Sequence, residues 1–269
     1  MRGLATAAAP ARGPAPAPAR PDAAEFRRIL GVQFFVGEAR RAIELLADGG
    51  LLVVPAAPAL KNLSQDAAYR EALLQADVTI TDSSLMVLVW NFLQRDNIRR
   101  LSGLEYLVEL LALPEVRRSG RSFWIMAGPA SASTNLAWLR GQGIEVLPED
   151  VYLAPIYKGA IEDQDLLQAL RVRRPAHIIV TIGGGTQERL GLYLKRNLNP
   201  VPAIHCIGAA IAFLSGDQVR IPMWADRFYA GWLFRCLSQP TRFIPRYWSA
   251  RKLISLIFRY RDRLPVPQV

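Results

Sequence analysis

Hydrophobic and polar positions alternate along the chain in the manner of an α/β protein. From residue 27 onward, short apolar runs are separated by segments in which apolar residues recur every three or four positions. The apolar runs predict strands over 28–35, 50–55, 78–81, 122–127, 145–147, 177–182 and 203–207, and a helix over 37–48 between the first two. This order favours an α/β fold with a mostly parallel sheet and helices on both faces.

Loops that directly follow the predicted strands are the places to look for chemistry, because ligands of such sheets bind beyond the carboxyl ends of the strands. Three of these loops stand out by composition, at 81–84, 127–131 and 183–188. The second contains Gly128, which we include among the candidate donor-binding residues.

The third loop carries three consecutive glycines and then the predicted start of a helix. Glycine lets the backbone approach a ligand closely, and free N–H groups at a helix start favour a phosphate. The loop is neither a dinucleotide fingerprint nor a Walker A loop, since Glu188 replaces the last required glycine and no Gly-Lys-Ser/Thr is present. The side chains after the glycines suit a ribose or sugar hydroxyl, although an acidic residue there is also an ordinary helix starter. The candidates are Gly183, Gly184, Gly185, Gln187 and Glu188.

Asp82 follows the β-branched run 78–81 and is predicted to lie at the ligand edge of the sheet. A carboxylate there can act as a general base that removes a proton from an attacking hydroxyl. It can equally be the N-cap of a helix that begins at Ser83 or Ser84. The residues alone leave both interpretations open.

The sequence gives little support to a metal site or to a hydrolase active site. The segment 163–165 matches the D-x-D pattern of metal-dependent glycosyltransferases, but it opens a predicted helix, which favours ordinary helix-start acids. His177 and His205 lie at the ends of predicted strands without cysteine or carboxylate at metal spacing, so we interpret them as core or edge residues. No G-x-S-x-G or H-E-x-x-H motif is present, so the hydrolase interpretation loses support.

Cysteine usage and apolar run length bear on location. Cys206 and Cys236 each lie in an apolar stretch and are interpreted as ordinary thiols in a reducing compartment, with a disulfide as the alternative. No apolar run reaches the roughly 18–20 residues of a membrane-spanning helix. Residues 1–24 are rich in Pro, Ala and Arg and predict a disordered leader, because prolines interrupt any signal-peptide core.

Positive charge is concentrated near the end of the chain. The formal net charge is +10, and residues 219–263 hold nine Arg and one Lys against Asp226 and Asp262. Ten aromatic residues are interleaved with these cations, which is typical of a segment at an anionic membrane surface. A basic tail packed on its own domain and a single-stranded RNA-binding segment are the alternatives. We therefore divide the chain into a leader over 1–24, a catalytic domain over 25–218 and an appendage over 219–269.

Five ordered blocks resemble the WecG/TagA/CpsF glycosyltransferases, which build surface polysaccharides and teichoic-acid linkage units. The blocks are A-D-V-T-I-T-D-S at 76–83, R-L-S-G-L-E at 100–105, I-G-G-G-T-Q-E-R at 182–189, I-G-A-A-I-A-F-L-S-G at 207–216 and W-L-F-R-C-L-S-Q-P-T-R-F-I-P-R-Y at 232–247. Together they span most of the chain, from about residue 28 to 248.

The resemblance implies an inverting transferase that needs no metal or other cofactor. It would have a Rossmann-like core and a C-terminal appendage that docks on the membrane and completes the active site. Asp82 would be the base, Arg100 would hold phosphate, and Tyr157 would lie against the uracil of a UDP-sugar bound by the glycine loop. The arginines that would meet the acceptor diphosphate are Arg235, Arg242 and Arg246. It also implies a polyprenyl-diphosphate-linked acceptor, a peripheral position on the cytoplasmic face of the inner membrane, no nucleic-acid partner and a possible homo-oligomer.

The stretches 31–37 and 81–96 resemble the branch that makes xanthan-type gums. That branch implies glucose transfer from UDP-glucose to polyprenyl-diphospho-glucose with a β-1,4 linkage, in exopolysaccharide biosynthesis. Another donor such as UDP-N-acetylmannosamine, or a non-catalytic nucleic-acid- or membrane-binding module, is the alternative. The chain departs from the family pattern at 56–59, where Ala-Ala-Pro-Ala replaces Asn-Ala-His-Thr, at Ser83 in place of Gly and at Ala212 in place of Asp.

Overall fold

The computed structural model describes residues 22–218, 224–225 and 231–267, without the side chains of Arg242 and Arg246. Most of the leader predicted over 1–24 lies outside these residues. At its end, Asp22 accepts a hydrogen bond from the backbone N–H of Ala24 at 3.0 Å and caps a 3₁₀ turn, Ala23–Glu25. The last residues of the predicted leader are therefore part of the ordered fold.

The described residues form one eight-stranded sheet in the order β1-β2-β4-β3-β8-β7-β5-β6. Only β1 and β2 pair antiparallel, and every other neighbouring pair is parallel. The α/β prediction is thereby confirmed. The strands are β1 Phe26–Ile29, β2 Val32–Phe35, β3 Gly50–Val53, β4 Val78–Ile80, β5 Ser122–Met126, β6 Val151–Leu153, β7 His177–Val180 and β8 Ala203–Cys206.

Helices cover both faces of the sheet, so the central strands are apolar on both sides. Along β3, Leu51 and Val53 face one core layer while Leu52 faces the other. The helices preceding the appendage are α1 Ala39–Glu44, α2 Ala57–Leu60, α3 Ala67–Leu74, α4 Ser84–Gln94, α5 Gly103–Ala112, α6 Pro114–Arg117, α7 Pro129–Gly141, α8 Gln164–Arg173, α9 Thr186–Asn197 and α10 Ala210–Ser215.

Two strand predictions are corrected by the structure. The strand predicted over 28–35 is a hairpin, because Leu30 and Gly31 adopt φ of 51° and 77° and turn the chain between β1 and β2. The strand predicted over 145–147 is wrong: Ile144 is buried as part of a loop, and pairing with β5 begins only at Val151, after a 3₁₀ turn at Pro148–Asp150. The helix predicted over 37–48 is regular only over α1.

The appendage continues as α11 Gly231–Ser238, α12 Pro240–Ala250 and α13 Lys252–Tyr260. Leu253 and Ile257 of α13 are fully buried in the core layer that includes α4. The backbone N–H groups of Leu30 and Gly31 donate to the carbonyls of Arg261 and Asp262. The appendage is thus anchored on the sheet at its far end, while α11 and α12 lie near the carboxyl ends of the strands. Its separate function stays a prediction.

None of the helices in the described part of the chain combines the length and apolar composition needed to cross a bilayer.

Candidate active site

Loops that follow five parallel strands converge at the carboxyl edge of the sheet and enclose a cavity of about 250 Å³. Its wall includes Val54 after β3, Asp82 after β4, Ala127 after β5, Gly183 after β7 and Gly208 after β8. This is the position where parallel sheets bind ligands. We call it the donor cavity.

A second cavity of about 360 Å³ lies beside the first, between α4 and the appendage. Leu85, Leu88, Trp232 and Tyr247 contribute its largely apolar wall. We call it the acceptor cavity. The two cavities share Ala56, Asp82, Arg100 and Arg235, so these side chains form the boundary between them.

Contacts to one of its two carboxylate oxygens fix the orientation of the Asp82 side chain. Its Oδ1 accepts the backbone N–H of Gly103 at 3.0 Å and lies 3.4 Å from the Arg100 guanidinium, whereas no hydrogen bond to Oδ2 is found within the described residues. The helix that follows is capped by Ser83, whose Oγ accepts the Met86 N–H. The interpretation of Asp82 as the cap of α4 is therefore wrong.

Arg100 is held next to Asp82 by contacts over a long sequence separation. Thr81, at the end of β4, donates its hydroxyl to the Arg99 carbonyl and accepts the Leu101 N–H. Arg100 Nε then donates to the Asp82 carbonyl at 2.7 Å. The pair is fixed because Thr81 joins the loop after β4, which carries Asp82, to the loop at 99–101, and Arg100 faces both cavities.

The glycine loop presents bare backbone to the donor cavity. A Cβ built on Gly183 or Gly184 would meet no atom within 4 Å, so a side chain at these positions would project into open space of the cavity. Gly185 has φ of 92°, a left-handed conformation that favours glycine, and α9 begins directly after it. The predicted start of this helix is confirmed.

Gln187 and Glu188 shape this loop from beneath. Gln187 is buried, and its Oε1 accepts the Gly208 N–H at 2.6 Å, which ties the loop after β7 to the loop after β8. Glu188 has no exposed surface, and its carboxylate accepts the Gly185 N–H at 2.6 Å. In this structure Glu188 orients the glycine loop, and the hydroxyl contact predicted for it is not available to so buried a group.

Burial raises the pKa of Glu188 from 4.5 to about 7, against the lowering effect of the N–H groups that it accepts. The unfolded chain releases this proton near pH 4.5 and the folded protein only near pH 7. The free energy of unfolding is therefore expected to fall by about 3 kcal/mol across this window through this group. Glu188→Gln should remove that slope in urea titrations, since an amide oxygen can still accept the Gly185 N–H.

The matched control is Glu162→Gln, a change at an exposed carboxylate that should keep the slope. An unchanged slope in Glu188→Gln would show that Glu188 does not titrate in this range.

Arg235 of α11 lies at the boundary of the two cavities. Its guanidinium carbon lies 4.3 Å from the centroid of the Phe213 ring, and one terminal nitrogen donates to the Tyr247 hydroxyl at 3.2 Å. Its Nε is buried and has no hydrogen-bond partner among the described residues. The guanidinium pairs with no carboxylate among the described residues, so its charge and its remaining terminal donors are available to an anion at the boundary.

Of four other predicted residues, two lie outside both cavities and two have side chains that the structure does not describe. Tyr157 is outside the walls of both cavities and donates its hydroxyl to Asp163 at 2.6 Å, so the structure does not place it where we expected the uracil. Gly128 precedes α7 without lining the donor cavity, whereas Ala127 and Ser131 do line it. Arg242 and Arg246 lie on α12, but their side chains are outside the described part of the structure.

A polar group that the sequence analysis missed lies on the far side of the donor cavity. Ser131 donates its hydroxyl to the Asp217 carboxylate at 2.5 Å, and both residues line the cavity. Ser215 donates to the Asn135 side chain at 2.6 Å and so joins α10 to α7. Only the position of Ser131 in a loop after a strand could have signalled this group.

Asp163 is the N-cap of α8, as predicted for a helix-start acid, and accepts the Leu166 N–H and the Tyr152 hydroxyl. His177 and His205 are buried core residues, also as predicted. No cluster of three or more His, Cys, Asp or Glu side chains suited to a metal ion occurs within the described residues. Both cysteines are free thiols.

Comparison with known proteins shows the family to which the chain belongs. Residues 27–265 match the profile of the glycosyl transferase WecG/TagA/CpsF family. This chain belongs to that family. It is also similar to the N-acetylglucosaminyldiphosphoundecaprenol N-acetyl-β-D-mannosaminyltransferase of Bacillus spizizenii, with 24% identity over 211 residues that cover 75% of this chain and 78% of the relative. The relative does not support the narrower resemblance to gum glucosyltransferases.

Proposed function

We propose that this WecG/TagA/CpsF-family protein transfers an N-acetylmannosaminyl unit, with inversion, from UDP-N-acetylmannosamine to a polyprenyl-diphosphate-linked N-acetylglucosamine. The observation that carries the transferase assignment is the position of Asp82 at the boundary between two adjoining cavities. A base between a polar and a largely apolar cavity suits a reaction between a nucleotide-sugar and a lipid-linked sugar. The two sugars are taken from the name of the Bacillus relative.

The proposed reaction begins when Asp82 takes the proton from the acceptor hydroxyl. The hydroxyl oxygen forms a bond to the anomeric carbon of the donor from the face opposite UDP, and the bond from that carbon to the diphosphate oxygen breaks. The electron pair leaves on the diphosphate, so the anomeric centre is inverted. The spare donors of Arg235, with Arg100 beside it, lie where they can offset this developing negative charge.

The donor is assigned to the cavity that contains the glycine loop. Gly183 and Gly184 leave room for a diphosphate against the backbone, and Gln187 and Glu188 keep the loop in this conformation from below. Ser131 and Asp217 also line this cavity and offer a hydroxyl and a carboxylate, a pairing that suits sugar hydroxyls. No metal is needed in this proposal because the diphosphate meets arginines and backbone N–H groups.

The acceptor is assigned to the cavity beside the appendage. Exposed apolar side chains surround that side of the molecule, among them Trp248 at 67% and Leu237 at 74% of their full exposure. Together with the cations of the appendage they suit the surface of an anionic membrane, where a polyprenyl chain stays in the lipid while its diphosphate reaches the boundary arginines. We propose a peripheral position on that surface.

The donor is tested by a panel of UDP-sugars. With polyprenyl-diphospho-N-acetylglucosamine as acceptor and EDTA present, we expect UDP-N-acetylmannosamine to give a kcat/KM at least about tenfold above UDP-glucose or UDP-N-acetylglucosamine. The product should carry a β linkage, read from its NMR coupling constants. The same panel is run with polyprenyl-diphospho-glucose. Preferential transfer of glucose to that acceptor would reinstate the gum-type reaction, and dependence on a divalent cation would refute the metal-free mechanism.

A further inference from the structure

A large groove lies at the edge of the sheet opposite the candidate active site. This groove, of about 1380 Å³, is lined by segments that precede β3, β5, β7 and β8. It shares no residue with the donor or acceptor cavity. We call it the amino-end groove, and neither the family nor the proposed reaction gives it a role.

Four arginines line the amino-end groove: Arg118, Arg121, Arg171 and Arg174. Arg171 donates to the carbonyl of Asn197 at 3.2 Å. The guanidinium groups of the other three make no hydrogen bond or ion pair with any residue in the described ranges. Three carboxylates also line it, Glu44, Asp48 and Glu115, of which Glu44 is already paired with Arg41 at 3.6 Å. The groove therefore offers unpaired cationic donors.

A buried chain of polar side chains ends at the floor of this groove. The Tyr106 hydroxyl lies 2.7 Å from His205 Nδ1, and His205 Nε2 lies 3.1 Å from His177 Nδ1. His177 retains only 9% of its full exposure, and its Nε2 has no hydrogen-bond partner among the described residues. The nearest carboxylate, that of the exposed Glu115, is 4.0 Å away.

The direction of the hydrogen bonds among Tyr106, His205 and His177 follows from the number of protons that these side chains carry. Burial lowers the pKa of both histidines, so each ring is neutral near pH 7 and carries one N–H. If the Tyr106 hydroxyl donates to His205, then His205 Nε2–H donates to His177, whose own proton must lie on Nε2. The opposite direction leaves both the fully buried Tyr106 O–H and the lone pair of His177 Nε2 without a partner, whereas this direction leaves only the His177 Nε2–H without one. The proton of His177 therefore lies on Nε2, a buried atom at the floor of the groove.

We propose that the amino-end groove binds a soluble phosphate-bearing anion, with His177 Nε2–H and the guanidinium of Arg121 as donors. A neutral imidazole N–H next to unpaired guanidinium groups matches the acceptor oxygens and the charge of a phosphate or diphosphate. The groove lies at the opposite end of the strands from the acceptor cavity and its exposed aromatic side chains. A dissolved nucleotide or phosphorylated sugar therefore fits this position better than a lipid headgroup.

Histidine NMR tests the proposal directly, because the chain contains only two histidines. In the full chain labelled with ¹⁵N-histidine, we expect His177 to be the Nε2–H tautomer and its resonances to shift saturably with inorganic pyrophosphate. Arg121→Ala should weaken that binding at least about tenfold, as expected for one charged hydrogen bond. Arg28→Ala, a change at an exposed arginine outside the groove, should leave the Kd unchanged.

Three outcomes would overturn the proposal: the opposite tautomer, no response of His177 to pyrophosphate, or a response that survives Arg121→Ala. A response to phosphatidylglycerol vesicles in place of pyrophosphate would assign the groove to lipid headgroups and refute the soluble ligand. Arg235→Ala separates this site from the active site, since it should leave the His177 titration intact whatever it does to sugar transfer. The proposal for the groove and the proposed reaction can therefore be refuted independently of each other.

Discussion

Asp82→Asn is expected to lower kcat for sugar transfer by about 10²–10⁴-fold, the usual contribution of a general base. The asparagine side chain has nearly the same shape, and its oxygen can still accept the Gly103 N–H that orients Asp82. It cannot take a proton from the acceptor hydroxyl. The loss should therefore appear in kcat, while the Kd for UDP and the unfolding temperature stay close to those of the unmodified protein.

The measurement is transfer from labelled UDP-sugar to a short polyprenyl-diphosphate-linked sugar, together with calorimetric titration of UDP. Asp165→Asn is the matched control, because Asp165 is an exposed aspartate on α8 outside both cavities. Near-normal kcat in Asp82→Asn would refute the role as base. A parallel fall in unfolding temperature would instead show that the carboxylate mainly stabilises the loop around Gly103 and Arg100.

Most of the strands and the edge that carries the candidate site could be predicted, because both follow from local patterns. Central parallel strands such as β3 are buried on both faces, so their sequences are unbroken apolar runs. Asp82 follows such a run, and parallel topology alone places it at the ligand edge. The strand predicted over 145–147 is wrong because Val146 packs partly buried against the core without joining the sheet, and an apolar loop residue has the same pattern as a short strand.

The partners of the site residues could not be predicted, because they come from distant parts of the chain. Gly103 and Arg100 reach Asp82 only because Thr81 pins the loop at 99–101. Glu188 was expected near a ligand because it follows the three glycines, yet the fold buries it below the glycine loop. The stacking of Arg235 on Phe213 depends on how the appendage packs, which no local pattern encodes.

Arg235→Ala is expected to lower kcat/KM for the lipid-linked acceptor by about 100-fold, because a charge-assisted, partly buried contact with a diphosphate is worth roughly 3 kcal/mol. The Phe213 ring and the Tyr247 hydroxyl hold the guanidinium at the boundary of the cavities. Arg235→Lys should recover only part of the loss, since an ammonium keeps the charge but not the planar fork that fits this position.

Arg251→Ala is the control for a general loss of appendage charge. Arg251 also stacks on an aromatic ring, that of Trp248, but it lies outside both cavities, so its removal should affect membrane binding more than turnover. Titration of UDP decides which ligand Arg235 serves. If Arg235→Ala weakens UDP binding as much as it lowers kcat/KM, the guanidinium holds the donor diphosphate. If UDP binding is intact and the KM for the acceptor is raised, the guanidinium holds the lipid-linked diphosphate, because only a group on the acceptor side leaves the donor complex unchanged.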